Sequence, residues 1–445
     1  MSITSVDGLI SGLNTTDIIT KLMQVEAQPQ TALKTKLANQ QNVITAYQSV
    51  NSKLAALQTA AEALAGSTYS TLTGSSAWQA MAATSSSDTV AATASAGAPV
   101  GQLTFDVTSL ARTHVLTVAL DDDTSPVVNG DTLQLSVNGA VPPVPIVVND
   151  NNPQGTADAI NAANLGIRAA VITTNQGRVL QLSATQTGLE HQFTIDNFLN
   201  APAILSQAKD ATITVGDPNA GGYTVSSPTN TLTGVPPGVT LTVSKEQLGV
   251  TVSVDSDAAG IADNMQKMVD AANAALTEIR TKTAYDTAAK HGGVLSGNLG
   301  VQQLQQRVLS AVSNGLSGYG GFNKVGIQLD SNGALTFNKD TFLAAYKADP
   351  DGTKTAVSTG LATSLVDIAK SATDSVSGTI TQAIQGSNDR VRALNSEIAD
   401  WDVRLAARQT ALQRQYSGLE VALGKLKDQS TWLAGQVANL SSSSG

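Results

Sequence analysis

Val391, Ile398, Leu405, Leu412, Leu419, Leu426, Leu433 and Leu440 follow one another at intervals of seven residues without a miss. A second apolar position lies three residues after the first at Leu394 and Trp401. Past Arg408 and Gln409 it lies four after, at Tyr416, Leu423 and Val437. This spacing draws one apolar stripe along a helix and demands a second helix to cover it. The run far exceeds an ordinary globular helix. Gly418, Gly424 and Gly435 lower the intrinsic helicity of its last third, so that end is expected to need a partner to stay folded.

The other end of the chain carries a candidate partner. In "VDGLISGLNTTDIITKLMQVEAQP", residues 6–29, Ile18, Leu22 and Val25 keep a helical spacing behind a candidate cap at Thr15 or Thr16, and Pro29 breaks or restarts the helix. Leu33, Gln40, Tyr47, Leu54 and Ala61 then recur in sevens, as do Leu37 with Ile44, and Val43, Val50, Leu57 and Leu64. The pattern predicts a long amphipathic helix ending near Gly66. The expected contacts are Ile18, Leu22, Val25, Leu33, Leu37, Ile44 and Tyr47 on the N-terminal side and the heptad seam on the C-terminal side.

Between the ends the period falls to two. Leu103, Phe105 and Val107, Leu133, Leu135 and Val137, Val179, Leu180 and Leu182, and Val250, Val252 and Val254 predict strands. Turns are marked by "VNG" at 137–139, "NQG" at 175–177 and "PPG" at 236–238. One short helix, "TADAINAAN" from Thr156, interrupts them. From Ala258 a helical face returns at Ile261, Met265, Met268, Ala272, Ala275 and Ile279, followed by a hairpin, "VGIQLDSNGALTF". Residues 63–87 carry no charge and are rich in Ser, Thr and Ala, which predicts a flexible connector. Helix, then β, then helix predicts an α+β chain: an elongated multidomain protein whose terminal helices can pair, coiled-coil-like, as a helical stalk carrying an inserted β-rich head.

Composition narrows the chemistry. Only 14% of the 445 residues are charged, the net charge is −9, and cysteine is absent. Residues 113–260 hold 13 acidic and 4 basic side chains, so the acidity belongs to the β region and the ends are neutral. A nucleic-acid partner is excluded, because phosphate binding needs a basic surface. No stretch has the apolar length of a membrane span, and no basic region precedes the first helix as a cleavable signal would require. His114, His191 and His291 stand far apart without metal-ligand spacing. The glycine-rich "GLSGYGGFNK" lacks the ending of a phosphate loop and reads as flexible. "DSNG" at Asp330 reads as a hairpin turn, since the oxygen ligands and closing Glu of a calcium loop do not follow. Asp121, Asp122 and Asp123 read as a solvated loop ahead of a cation site. No cofactor, metal or catalytic residue is expected, and an enzyme is the least favoured class.

Several segments resemble the flagellar filament cap family, the hook-associated protein 2 family. "GLISGLNTTDIITKLMQVEAQP" is similar to its opening, and "SSSDTVAATASAGAPVGQLTFDVTSLA", residues 85–111, to the start of its β head. Residues 130–188 resemble a strand–helix–hairpin module shared by flagellin and hook-associated proteins. "VGIQLDSNGALTFNKDTFLAAYKADP" and "QRQYSGLEVALGKLKDQSTWLAGQV" resemble its C-terminal region. The central module points only to a flagellar axial protein, and the GIxLDxxG hairpin with the C-terminal heptads favours the cap.

The resemblance implies a non-catalytic homo-oligomeric ring, a pentamer ahead of a hexamer or tetramer, at the distal filament tip. It implies export without a cleavable signal through the flagellar type III system, and an extracellular site of action. Its partners would be flagellin, the hook-filament junction protein and an export chaperone at the C-terminal segment. The expected domains are 1–40 with 408–445 as terminal segments, 41–70 with 257–407 as a helical leg domain containing a β-hairpin, 71–115 with 205–256 as a β head domain, and 116–204 as an outer head domain. The alternatives are another axial protein, flagellin-like or of the hook-filament junction, and a surface adhesin using the β head.

Overall fold

The computed structural model describes residues 12, 14–65, 77–287 and 290–442, the side chains of 286 and 438–442 excepted. The chain divides into two compact units, Met1–Tyr69 with Asn264–Gly445, and Ser70–Asp263.

The second unit is built from antiparallel pairs around two cores. In the first, β1 (Met81–Ser85), β2 (Val90–Ala94) and β3 (Gly101–Ser109) join later strands: β11 (Ala211–Val215), β12 (Tyr223–Ser227), β13 (Thr231–Thr233), β14 (Val239–Val243) and β15 (Gln247–Ser256). They form a five-stranded sheet, β1-β15-β3-β11-β12, and a three-stranded one, β13-β14-β2. Phe105, Val107, Ile213, Leu241, Val252 and Val254 fill the core between alternating outward polar positions. The uncharged segment read as a connector is structured from Ala77 onward. Trp78 is buried in a short 3₁₀ turn, and Met81 to Ser85 pair with Ser256 to Val252. Residues 66–76 lie outside the described residues. Small hydroxyl and methyl side chains suit a sheet as well as a linker, so composition alone misled there.

The second core belongs to β10-β4-β8-β7 and β6-β5-β9. These are β4 (Thr113–Leu120), β5 (Thr132–Val137), β6 (Val144–Val147), β7 (Ile167–Thr174), β8 (Gly177–Thr187), β9 (Phe193–Asp196) and β10 (Ala203–Ser206). Helix α3 (Pro153–Ala163) covers them. Asn152 caps it, accepting from the Gly155 amide at 2.7 Å, and Pro153 takes the first turn. Asn161 then docks the helix on β7, donating to Ala169 O and accepting from Ala169 N, both at 2.9 Å. Val118, Leu133, Leu135, Ile160, Leu180, Leu182 and Phe193 pack together beneath it. The "VNG" turn follows the sequence reading, with Asn138 and Gly139 both at positive φ, 51° and 71°.

His114 shows why its sequence context lacked metal partners. It is 2% exposed, and the Phe193 amide donates to its Nδ1 at 3.1 Å. An amide can only donate, so Nδ1 is unprotonated and Nε2 carries the proton; Nε2 finds no acceptor among the described residues. Burial holds the imidazole below its ordinary pKa. The unfolded chain therefore takes up this proton first. The contribution is complete above about pH 6.5 and is lost as pH falls below it. Urea titrations of the whole protein across pH 5–8 are expected to show this unit weakening toward acid. His114→Asn, which keeps an acceptor and does not titrate, is expected to flatten that slope. An equally steep slope in the variant would refute the assignment.

In the first unit, α2 (Gln28–Glu62) buries Val50, Leu54, Leu57, Ala61 and, just beyond its end, Leu64. Helix α4 (Ala258–Thr283) buries Met265, Met268, Ala272, Ala275 and Ile279, as its period predicted. Then come α5 (Leu299–Ser313), the hairpin Ile327–Leu329 with Leu335–Phe337, α6 (Lys339–Ala348), α7 (Pro350–Thr355), a π-helical stretch Ala356–Ala362, and α8 (Thr363–Thr373). Helix α2 packs on α8. The chain closes with α9 (Thr379–Ser442), 64 residues long, which starts from buried Ile380 and continues through all three glycines.

Candidate terminal-helix interface

The site positions fall on three helices: α1 (Thr15–Glu26), α2 and α9. Asn14, not Thr15 or Thr16, caps α1, its Oδ1 accepting from the Asp17 amide at 2.9 Å. Pro29 restarts the chain as α2, where its missing N–H costs nothing in the first turn.

Three observations fix an antiparallel register of these helices on α9. Gln40 and Val43 share a groove with Leu394 and Glu397. The Gln30 amide donates to Asp402 Oδ1 at 2.5 Å and, more weakly, to Ile398 O at 3.5 Å. The Arg408 guanidinium donates to Glu26 Oε1 at 3.2 Å. One index falls as the other rises, as antiparallel pairing requires.

Burial along this pairing is graded. Tyr47 is buried, its hydroxyl accepting from Asn298 Nδ2 at 2.6 Å; burial pushes the phenol pKa up against the pull of Arg390 and Asn298. Leu33, Leu37, Ile44, Val391, Ile398 and Leu405 are half-buried. Leu412 is 8% exposed, the most enclosed residue of the seam. Beyond it Leu419, Leu426 and Leu433 are exposed, with Val421, Trp432 and Val437 beside them. The side chain of Leu440 lies outside the described residues. On α1 the buried positions are Thr15 and Ile19; Ile18 is half-buried, and Leu22 and Val25 are exposed. One residue turns a helix by about 100°, so adjacent isoleucines at 18 and 19 leave the facing side undecided until the helix is seated.

The polar contacts were not legible in the apolar pattern. Their one trace is the interruption at Arg408 and Gln409, beside which the chain passes from α2 to α1. On the other side of α2, Ser49 donates to Glu278 Oε1 at 2.6 Å and, with Lys282 at 3.4 Å, holds that carboxyl below its usual range.

The GIxLDxxG hairpin is accounted for residue by residue. Gly326 adopts φ +81°, and a Cβ there would lie 2.4 Å from Asn338 O. Ile327 and Leu335 are buried. Asp330 accepts from the Asn332 and Ala334 amides, both at 2.8 Å, and these bonds, Ala334 foremost, lower its pKa. The carboxylate thus builds the turn. Gly333 takes φ +72° with open space around it. Asn273 of α4 clamps the hairpin through both Leu335 N and Leu335 O at 2.8 Å. The glycine-rich loop before it is tied rather than free: Leu316 N donates to Gly320 O at 3.0 Å, and Lys324 donates to Tyr319 O at 2.7 Å.

The acidic triplet is likewise engaged. Asp122 accepts from the Ser125 hydroxyl at 2.8 Å and from the Thr124 and Ser125 amides at 2.7 and 2.5 Å, which draws its pKa down to about 2; Asp123 pairs with Arg178. Among the described residues no cluster of three or more His, Cys, Asp or Glu is arranged for a metal, and no helix is long and apolar enough to cross a membrane.

This architecture, helical ends around β units with the GIxLDxxG hairpin, has counterparts. The family described as flagellar hook-associated protein 2 N-terminus matches residues 11–114, and that described as flagellar hook-associated protein 2 C-terminus matches residues 208–428. The chain belongs to the flagellar hook-associated protein 2 family. Flagellar hook-associated protein 2 of Escherichia coli K12 is 26% identical over 98% of each chain. The B-type flagellar hook-associated protein 2 of Pseudomonas aeruginosa PAO1 is 27% identical over 97% of each. The crystal structure of the D1-D2-D3 domains of the Escherichia coli flagellar cap protein shares the fold, with TM-score 0.54 and 24% identity over 77% of this chain and 99% of that one. Membership of the hook-associated protein 2 family places this chain among structural components of the flagellum and confirms the α+β multidomain expectation.

Proposed function

We propose that this protein caps the flagellar filament: a homo-oligomeric ring at the distal tip that retains exported flagellin and promotes its folding and insertion, without covalent chemistry. The observation that carries the reading is the seam of α9, which is covered as far as Leu412 and then runs on exposed through Leu426 and Leu433. An apolar stripe on a helix end is a surface awaiting a complementary groove. The open end of flagellin or of the junction protein supplies such a groove at a growing tip, and an export chaperone would cover the same stripe before secretion. The coiled-coil-like terminal pair then acts as the leg that fills an open filament site and releases it as growth proceeds. The neutral helical ends suit repeated packing and release.

Negative-stain images of the pure protein are expected to show small closed rings; long tubes would favour a flagellin-like axial protein. Removal of residues 1–40 is expected to leave rings or folded β units but to abolish docking on filaments. Normal docking by that truncated chain would refute the terminal-leg reading. A deletion strain is expected to shed monomeric flagellin and lose motility, whereas normal filaments in that strain would leave adhesion as the better account.

A further inference from the structure

We propose that Asp330 protects the Asn332–Gly333 bond of the hairpin from deamidation, whereas Asn138–Gly139 is left open to it. Asparagine before glycine is prone to this change, because glycine has no side chain to hinder attack by its own nitrogen. That nitrogen gives up its proton and attacks the asparagine Cγ. The Cγ–Nδ2 bond breaks, and the amide leaves as ammonia with a proton in place of the one given up. Water then opens the cyclic imide on either side, giving aspartate or isoaspartate. Water is consumed and ammonia released, and no other reactant is needed. The chain holds four such pairs, at Asn129, Asn138, Asn314 and Asn332.

Asn138 and Asn332 make a matched comparison. Both are exposed, and the glycines that follow them share nearly the same φ, 71° at Gly139 and 72° at Gly333. Two residues before the asparagine stands Ser136 in one turn and Asp330 in the other. The Gly333 N–H donates to Asp330 O at 3.1 Å, and Asp330 Oδ1 accepts from the flanking Asn332 and Ala334 amides. The nucleophile is therefore engaged, and it cannot reach Cγ without breaking the turn. The carboxylate also opposes the deprotonated nitrogen and the anionic intermediate that follows. In the other turn the Asn138 amide bonds to Gln192 O and the Ala140 amide to Val137 O, but the Gly139 N–H has no partner among the described residues. Ser136 donates to Ala140 O at 2.7 Å and brings no charge. At Asn332 the product would set a second carboxylate beside Asp330, and isoaspartate would lengthen the turn by one backbone carbon. The seat that Asn273 gives Leu335 would then be strained. Asp330 thus has a second duty beside building the turn, one independent of the proposed capping role.

The test is peptide mapping by mass spectrometry while the full chain is held in mildly alkaline buffer. In the folded protein Asn138 is expected to deamidate about tenfold faster than Asn332. In urea, where neither turn exists, the two rates are expected to agree within about threefold. In Asp330→Ser the Asn332 rate is expected to rise about fivefold or more while that of Asn138 stays unchanged. Hydrogen exchange at the Leu335 amide shows whether the hairpin is still seated in that variant. The comparison within the parent needs no substitution and decides the matter if the hairpin comes loose. Equal rates at Asn138 and Asn332 in the folded parent overturn the proposal, as does an Asn332 rate unmoved in Asp330→Ser.

Discussion

Leu426→Asp is expected to leave the isolated chain folded and yet to abolish motility, while Leu412→Asp is expected to damage both. The two residues stand two heptads apart on one seam, and only their surroundings differ. Leu426 is 60% exposed, so a carboxylate there keeps its water in the free protein and stability is expected to change by no more than about 0.5 kcal/mol. Leu412 is 8% exposed, so its replacement loses apolar burial and strands a charge, a cost of about 3 kcal/mol or more. Leu405→Asp, at a half-buried position, belongs with Leu412→Asp. Circular dichroism melts of the purified variants read the first effect. Swimming of strains carrying each variant in place of the parent reads the second. Normal swimming with Leu426→Asp would sink the docking role of the exposed seam, and an unchanged melt for Leu412→Asp would contradict the burial of that position.

The second large effect is expected in the hairpin, where two glycines of one motif should respond unequally. Both Gly326 and Gly333 have positive φ, so alanine at either pays for a left-handed backbone, about 1–2 kcal/mol. At Gly333 nothing lies within 4 Å of the added methyl, and that strain is the whole cost. At Gly326 the methyl meets Asn338 O at 2.4 Å, and Asn338 N is itself bonded to Gly326 O at 2.8 Å. The obstacle is backbone held in place, so relief requires moving the start of α6. Gly326→Ala is therefore expected to cost about 3 kcal/mol or more and Gly333→Ala about half that. Urea titration of both variants checks the order, and equal losses would show that Asn338 yields easily.

These two cases also show which kinds of information a sequence carries openly. Long-range periodicity was legible: the α9 heptads, the α4 face from Ile261 to Ile279, and the alternation of Leu103, Phe105 and Val107 each became the element their period implies. A repeat reports a face averaged over many residues, and averages survive local exceptions. Single decisions did not survive as well. Ile18 and Ile19 are equivalent in hydrophobicity, and only seating α1 on α9 separates them. Gln30, Asp402, Glu26 and Arg408 interrupt the apolar pattern and so read as solvated, although Gln30 is buried. Residues 81–85 carry too few large side chains to show an alternation, and their partner strand lies some 170 positions later in the chain. His114 appeared as a lone histidine because its partner is a backbone amide, which no side-chain pattern can announce.

A single helix of 64 residues is a rod of roughly 96 Å. A twist imposed at one end is shared along its length, because each turn is joined to the next by backbone hydrogen bonds. A partner that gripped Leu426 and Leu433, as the proposed function requires, would load the helix toward Ile380, buried at the opposite end. Between them Gln30 and Glu26 tie α9 to the N-terminal helices at Asp402 and Arg408. Seizing and freeing the tip of α9 is, in mechanical terms, turning a shaft whose far end is seated among the buried side chains of its own helical unit.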